Sequence, residues 1–448
     1  MRRREHGFAA ALANREFRAL WLVEALSVFG DQLARVALAL LVFGRTGSAS
    51  LSALTYALTF APEVASGFLL SGLADRFPRR AVMVTTDLVR AGCVFAMVVP
   101  GLPLGVLWGL VAALSLARPP FKAAQQAVLP EVLGADLYPV GLGLRQITNQ
   151  AVQVAGFGVG GVLVTAIGAG PVLLIDAGTF VVSAAVLGLA VAARPAARRG
   201  KAERASGRAP RRPDRRLLAV FMVGAVIGLL MVPEGLAAPY ASAVGGASFT
   251  VGLLMAADPI GGVLGGWWAA RSTREVTPRS VLVPAVFSGI PLAACAVVPG
   301  YVLPMLLWAS SGALSTVFLV RLQVVITEVV PDECRGGVMG RFSTCVTVSQ
   351  GVAIAGAGVV ADGGAGPVWT VAFAGVLASV WVVVAGFVWC GARPRRARCA
   401  EDEHPSSTDG SDLLVTHRGL LPRRPAVGGV NDSQSRSARA DALRGNGK

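Results

Sequence analysis

The stretch SGLADRFPRR, residues 71–80, places four charged side chains, Asp75, Arg76, Arg79 and Arg80, between two long apolar runs. Each flanking run has about the 20 residues that an α-helix needs to cross a bilayer core about 30 Å thick. Charged groups are costly inside lipid, so the stretch is typical of a short polar turn between two membrane spans.

Apolar runs of the same length recur along the whole chain of 448 residues, of which 54% are hydrophobic and only 15% charged. That composition is too apolar for an ordinary soluble domain. The runs predict an all-α polytopic membrane protein with twelve transmembrane helices. Their expected bounds are 17–43, 51–73, 81–99, 104–127, 138–168, 171–192, 217–243, 249–270, 280–298, 301–327, 335–362 and 368–391.

The net charge of +15 is distributed on one side of these spans. Basic residues precede the odd-numbered spans and follow the even-numbered ones, whereas the alternate loops hold only Arg45. By the positive-inside rule, both termini are expected in the cytoplasm of a prokaryotic cell, with the chain in its cytoplasmic membrane. No helix-turn-helix or zinc pattern accompanies the basic residues, so no nucleic acid partner is expected.

A basic, Pro-containing stretch divides the chain into two similar halves. We expect an N-terminal six-helix bundle at 1–192, a cytoplasmic linker at 193–216, a C-terminal bundle at 217–392 and a disordered tail at 393–448. The halves echo each other, since AVLPEVLGADLYPVGLGLRQ aligns with VVITEVVPDECRGGVMGRFS at an offset of 196 to 197 residues. Repeated bundles are typical of secondary transporters, in which the halves rock about a central site.

Motifs of enzymes are missing from the sequence. Six cysteines show no CxxC spacing, only three histidines are present, and no GxxxxGK[ST] loop occurs. We therefore expect no catalytic residues, no metal, no cofactor and no disulfide.

The stretch GLADRFPRR resembles the signature loop of the major facilitator superfamily, with matches at Gly72, Asp75, Arg76, Arg79 and Arg80. Together with NREFRALWLVEALSVFGDQLARVALALLVFGRTGSAS, QQAVLPEVLGADLYPV and LLIDAGTFVVSAA, it is similar to the drug:H+ antiporter branch over residues 14 to 392. That branch contains macrolide, tetracycline and siderophore exporters. The resemblance implies export of an amphiphilic small molecule in exchange for protons across the membrane lipid. Symport or uptake, or a non-transporting sensor or assembly role, remain the alternatives.

The signature loop suggests a gate between the two halves. Asp75 is expected to face the N-terminal end of the eleventh helix, where the helix dipole favours negative charge. Arg79 or Arg80 would face a carboxylate at a helix C-terminus. The alternative is a tight turn whose basic residues only fix topology.

Ionisable residues within the apolar runs are the candidates for proton coupling, because lipid makes them costly. Glu24, Asp31 and Arg35 lie seven and four residues apart and share one face of the first helix. Glu63 follows Pro62 in the second span, and Arg118 lies in the fourth. Asp31 or Glu63 is the expected proton carrier. The alternative is a static ion pair between Asp31 and Arg35.

Polar residues elsewhere in the spans are candidates for the substrate cavity. They are Arg145, Gln146, Asn149, Gln150 and Gln153 in the fifth span, Glu234 and Asp258 beside prolines that are expected to interrupt their helices, and Gln350 in the eleventh span. Hydrogen bonding between helices explains the fifth-span stripe equally well. Asp87 and Arg90 are expected to brace the signature loop.

The fifth span ends in GFGVGG, residues 156–161, with Phe157 where the drug antiporter pattern has proline. The glycines still predict close approach of another helix. The missing proline removes the expected kink.

Overall fold

The computed structural model describes residues 2–70, 76–192, 215–271, 276–330 and 332–390, and these residues are almost entirely helical. The first half contains α1 (Arg2–Ala13), α2 (Arg15–Thr46), α3 (Ala49–Ala57), α4 (Ala61–Leu69), α5 (Arg79–Met97), α6 (Leu104–Ile167) and α7 (Ala169–Ala190). The second half contains α8 (Arg215–Leu230), α9 (Val232–Gly235), α10 (Ala237–Ala243), α11 (Ser248–Arg271), α12 (Pro278–Ala294), α13 (Val302–Val329), α14 (Asp332–Val360) and α15 (Gly366–Cys390).

These helices form the twelve predicted spans. The first, third and sixth are α2, α5 and α7, the second is α3 with α4, and α6 supplies both the fourth and the fifth. The seventh is α8 to α10, and α11 to α15 are the eighth to the twelfth. Nine stretches of the described residues are long and apolar enough to cross a membrane by themselves. The second span is not among the nine because it is broken, and the third is not because it is more polar. The eleventh and twelfth spans form one continuous stretch of the nine.

Proline and glycine explain where the spans break. Pro62 lies at the start of α4 and Pro233 at the start of α9, so the second and seventh spans are discontinuous. Within α6, Gly134 has a φ of 67° and separates the fourth span from the fifth. The expected interruption at Asp258 is wrong, because α11 continues through Pro259.

The two ends of the spans differ in their chemistry. We call the end at which the odd-numbered spans begin the basic end, since Arg15, Arg79, Arg215 and Arg279 lie there. At the other end, which we call the turn end, each connection carries a glycine with positive φ, a conformation that glycine adopts without the steric cost of a Cβ. These glycines are Gly47, Gly101, Gly168, Gly245, Gly300, Gly364 and Gly366.

The expected linker at 193–216 and tail at 393–448 lie almost wholly outside the described residues. Only Arg215 and Arg216 of the linker are described, and they form the first turn of α8. The helix α1 was not predicted, and it packs through Ala11 against Leu133 and its neighbours at the fourth and fifth spans.

Candidate functional site

A polar pocket of about 160 Å³ lies inside the first half and contains Asp31. Arg90 of the third span donates to one Asp31 oxygen at 2.6 Å, and Arg118 of the fourth span lies 3.3 Å from the other. The alternative of a static ion pair between Asp31 and Arg35 is therefore wrong, because the ion pairs of Asp31 among the described residues are with Arg90 and Arg118. Asp31 instead joins the first span to the third and fourth.

Glu63 belongs to the same set of charges. Lys122 donates to one Glu63 oxygen at 3.2 Å, and Arg118 lies 3.9 Å from the other. Arg118 is thus shared by Asp31 and Glu63, the two residues that the sequence predicts as proton carriers. Because one guanidinium neutralises both carboxylates, a change of charge on either alters the field at the other.

Arg90 also contacts groups that lie deeper in the bundle. Its guanidinium donates to Ser27, lies 3.6 Å from Asp87 and stacks 4.0 Å from the centre of the Phe180 ring. Ser183 donates to the other oxygen of Asp87. Asp87 and Arg90 are therefore buried in the bundle. Residues 71–75 of the signature loop lie outside the described residues, so the bracing of the loop by Asp87 and Arg90 stays a prediction.

Asp176 of the sixth span is the residue that the sequence reasoning missed. It is fully buried against Gly30, next to Asp31 in the chain. Thr179 donates to one of its oxygens at 3.4 Å, and the other has no hydrogen-bond partner among the described residues. Its position in the apolar run LLIDAGTF was the available signal, because a carboxyl group at such a site is costly.

The polar residues predicted on the fifth span fall into two groups by their contacts. Arg145 forms a two-pronged contact with Glu24, and Asn149 donates to the same carboxylate at 3.0 Å. Gln153 lines the pocket beside Asp31. By contrast, Gln150 faces Gly262 of the eighth span and Gln146 is exposed.

A second buried cluster joins the two halves. Tyr56 of the second span donates to Glu234 of the seventh, and Arg35 donates to the Tyr56 hydroxyl at 3.3 Å. Asp258 instead packs against Gly312, and the backbone of Gln350 packs against Gly228. The structure therefore brings Glu234 to the first half, whereas these contacts of Asp258 and Gln350 are with residues of the second half.

The signature loop is described only in part, since Gly72 and Asp75 lie outside the described residues. Arg76 is exposed. Arg79 contacts Glu131 and donates to the Ala127 carbonyl at 2.9 Å, and Arg80 donates to the Gly188 carbonyl. These contacts of Arg79 and Arg80 stay within the first half, and among the described residues neither side chain forms an ion pair or hydrogen bond with the second half.

A cleft of about 580 Å³ separates the halves towards the basic end. Its walls are the second and fourth spans on one side and the eleventh span on the other, with Glu63, Lys122 and Arg341 as the charged residues. We call this the basic-end cleft. Lys122 also lines the polar pocket, so the two spaces share a wall.

At the turn end the same halves are in close contact. A Cβ at Gly252 of the eighth span would meet the backbone of Phe157 and Gly161 of the fifth, and one at Gly358 would meet Ser50 and Ala53 of the second. The close helix approach predicted for the GFGVGG stretch is therefore present, with Phe157 buried.

Asp362 adds a polar contact to the closed turn end. It lies in the turn after the eleventh span and accepts from the Ser48 hydroxyl at 2.5 Å and from the backbone of Ala49 and Ser50 at 2.9 Å each. Burial raises the pKa of Asp362, but the hydrogen bonds from Ser48, Ser50 and Ala49 together outweigh this and lower the pKa to about 2. Among the described residues, the two halves are thus in contact at the turn end and separated by the basic-end cleft at the other end.

Comparison with known proteins agrees with this architecture. A family model described as the Major Facilitator Superfamily matches residues 20–314, which is more than half of the chain. The MFS-type transporter YkuC of Bacillus subtilis (strain 168) is 25% identical over 178 residues, covering 38% of this chain and 40% of YkuC. The match thus spans less than half of that relative's length.

Solved structures share the fold at low sequence identity. A bacterial homolog of the human lysosomal transporter Spinster, in an inward-facing and unoccupied conformation, has a TM-score of 0.65 at 15% identity, with 84% of this chain and 95% of that chain covered. The nucleoside transporter NupG has a TM-score of 0.63 at 13% identity, with 84% and 99% covered. A proton dependent oligopeptide transporter has a TM-score of 0.65 at 13% identity, with 84% and 98% covered.

The twelve spans, the signature-loop residues, the intramembrane charges and the matching family model all lead to one assignment. The chain belongs to the Major Facilitator Superfamily and is a multi-pass membrane transporter.

Proposed function

We propose that this transporter exports an amphiphilic organic compound from the cytoplasm in exchange for protons, by alternating access. The basic end then faces the cytoplasm, because cytoplasmic loops carry the excess of Lys and Arg. Both chain termini lie on that side of the cytoplasmic membrane. With the cleft open at the basic end, the conformation described here is the one that would load substrate from the cytoplasm.

The observation that carries the proposal is the sharing of Arg118 between Asp31 and Glu63, at 3.3 and 3.9 Å. A proton on Glu63 removes one of the two attractions on Arg118 and leaves its guanidinium to Asp31. Since Glu63 also lines the basic-end cleft, a bound substrate and a bound proton act on the same charges. Competition of this kind is the physical requirement for exchange of the two.

Glu24, Arg35 and Arg145 have supporting roles in this proposal. Glu24 is held by Arg145 and Asn149, so it is well neutralised in this conformation. Arg35 reaches Tyr56 and through it Glu234 of the other half, which places Glu234 where the two halves separate. A conformational change that parts the halves must break this contact.

Uptake by symport uses the same architecture, and the fold is shared with a nucleoside transporter and with a proton dependent oligopeptide transporter. Direction is therefore the point to test. A non-transporting sensor or assembly role gives no reason for three charged residues to line a cleft between the two halves.

The test is accumulation of a panel of fluorescent amphiphiles in inside-out vesicles that contain the full chain, with and without an imposed pH gradient. Export in exchange for protons predicts accumulation driven by an acidic lumen and abolished by a protonophore. Accumulation only in right-side-out vesicles would establish uptake instead. Gradient-independent behaviour across the panel would refute proton coupling.

Asp31→Asn is the variant that identifies the carrier. It should abolish gradient-driven accumulation yet preserve exchange of labelled for unlabelled substrate, because exchange needs no net proton movement. Asp136→Asn is the matched control, since Asp136 is an exposed acid outside the pocket. Equal loss of both activities in Asp31→Asn, with the protein still in the membrane, would assign Asp31 a structural role.

A further inference from the structure

The basic-end cleft has an unbalanced charge. Its charged lining residues among those described are Glu63, Lys122 and Arg341. Glu63 is already neutralised by Lys122 at 3.2 Å and by Arg118 at 3.9 Å. Arg341 is exposed on the opposite wall, and no described carboxylate lies within ion-pair distance of it. The described part of the cleft therefore carries a surplus of positive charge.

The internal repeat makes this surplus specific to the second half. Arg145 of the fifth span aligns with Arg341 of the eleventh, and in the first half Glu24 of the first span neutralises Arg145. At the same repeat offset, the residues that correspond to Glu24 are Val220 and Phe221 of the seventh span. Phe221 packs edge-on against Phe342, so an aromatic contact stands where the first half has an acid.

The rest of the cleft suits the body of an amphiphile. Val64, Pro119 and Ala123 supply apolar surface, and Ser343, Thr344 and Thr347 supply hydroxyl groups. A side chain at Gly67 or Gly340 would meet no neighbour within 4 Å, so both glycines leave the walls open. A volume of about 580 Å³ lies within the range of roughly 300 to 1,000 Å³ that holds drug-sized ligands.

We infer that the basic-end cleft binds an amphiphilic organic anion, whose carboxylate or similar head meets Arg341 and whose apolar body lies against the second and fourth spans. This inference names the substrate class for the proposed function and rests on it. The half-exposed Lys122 is the second cation within reach of the head. A cationic amphiphile would meet Arg341 and Lys122 with only an already paired carboxylate to offset them.

The experiment measures binding of three probes that share one skeleton and differ in charge. Pyrenebutyrate, pyrenebutanol and the pyrenebutyl-trimethylammonium ion are titrated into the full chain in phosphatidylcholine nanodiscs without a pH gradient, with energy transfer from tryptophan as readout. We expect pyrenebutyrate to bind at least tenfold more tightly than the cation. Loss of one charge-assisted contact in Arg341→Gln should weaken its binding by about tenfold.

Arg279→Gln is the matched control, because Arg279 is an exposed arginine at the basic end that does not line the cleft. It should leave the affinity unchanged. Lys122→Gln should also weaken binding of the anion. It removes a partner of Glu63 as well, so Arg341→Gln is the variant that decides the question. Equal affinity for anion and cation, or an Arg341→Gln variant that binds pyrenebutyrate normally, would overturn the inference.

A phospholipid headgroup in the cleft is the competing occupant. If phosphatidylglycerol in the nanodisc displaces pyrenebutyrate in an Arg341-dependent way and pyrenebutyrate is never transported, the cleft is a lipid site and the substrate assignment is wrong. The failures are separable. Proton-driven export of a cation would support the proposed function and refute the anion preference. Selective anion binding without gradient-driven transport would support the anion preference of the cleft and refute proton-coupled export.

Discussion

Asp362→Ala should open the turn end of the transporter. The substitution removes three hydrogen bonds to the start of the second span, from Ser48 at 2.5 Å and from Ala49 and Ser50 at 2.9 Å. Asp362 is exposed, so water competes for each bond and we assign each about 0.7 kcal/mol. The total of about 2 kcal/mol shifts the equilibrium between closed and open turn ends about 30-fold. For a wild-type open fraction of about 1%, the variant would be about one quarter open.

The assay is the distance between spin labels at Gly105→Cys and Val302→Cys, in a chain whose native cysteines are replaced. Both positions are exposed and begin the fourth and tenth spans at the turn end. We expect a second, longer distance population in Asp362→Ala. Thr370→Ala is the control, because among the described residues the Thr370 hydroxyl donates to Gly366 of its own helix and to no other residue. An unchanged distance distribution in Asp362→Ala would refute the reasoning.

The same contact has a defined pH dependence. The pKa of Asp362 is about 2 in the closed state, below the ordinary value of 3.8 for an aspartate. A carboxylate whose pKa is lowered by a contact stabilises that contact fully above its ordinary pKa, and the stabilisation is lost as the pH falls towards the lowered value. Asp362 should therefore hold the turn end equally well at pH 5.5 and at pH 8. The prediction would be contradicted if the wild-type turn end opened between pH 8 and pH 5.5 and this pH-dependent opening were absent in Asp362→Ala.

Three further substitutions test other contacts. Asp176→Asn should change the melting temperature of the purified protein by less than about 3 °C, because the amide has the shape of the carboxyl group and one Asp176 oxygen has no hydrogen-bond partner among the described residues; a larger loss would show that the carboxylate charge stabilises the fold. Gly252→Val should cost about 1 to 3 kcal/mol of closure by pressing on Gly161, seen as a long distance population with the same labels, and normal closure would refute it. Tyr56→Phe should leave Glu234 without its hydroxyl donor and lower the free energy of unfolding by about 1 to 3 kcal/mol; an unchanged free energy of unfolding would refute this and show that water replaces the hydroxyl.

The spans and the intramembrane charges were predictable because lipid imposes strict rules on length and charge. Residues such as Asp31 and Glu63 are conspicuous in apolar runs. Their partners were not predictable, since Arg90 and Arg118 come from other spans whose rotation the sequence does not fix. A static pair with Arg35 fits the spacing on one helix, but the structure turns Arg35 towards Tyr56.

Helix breaks show the same limit. Pro62, Pro233 and Pro259 look alike in sequence, yet only the first two begin a new helix. Next to Pro259, Gly261 lies directly against the backbone of Ala309 in the tenth span. Tertiary packing of that closeness can keep a helix continuous through a proline that lacks its backbone donor.

The polar pocket and the closed turn end are connected through two residues of the first span. Asp31 and Arg35 lie four residues apart, on one face of a continuous helix, so rotation of that helix moves both. Asp31 is paired with the shared Arg118. Arg35 donates to the hydroxyl of Tyr56, which in turn donates to Glu234 of the second half. Loss of charge on Asp31 therefore weakens one end of a rigid element whose other contact spans the two halves. In the proposed exchange this is the physical link required, because the charge that a proton on Asp31 would change and the contact that separation of the halves would break lie on the same helix face.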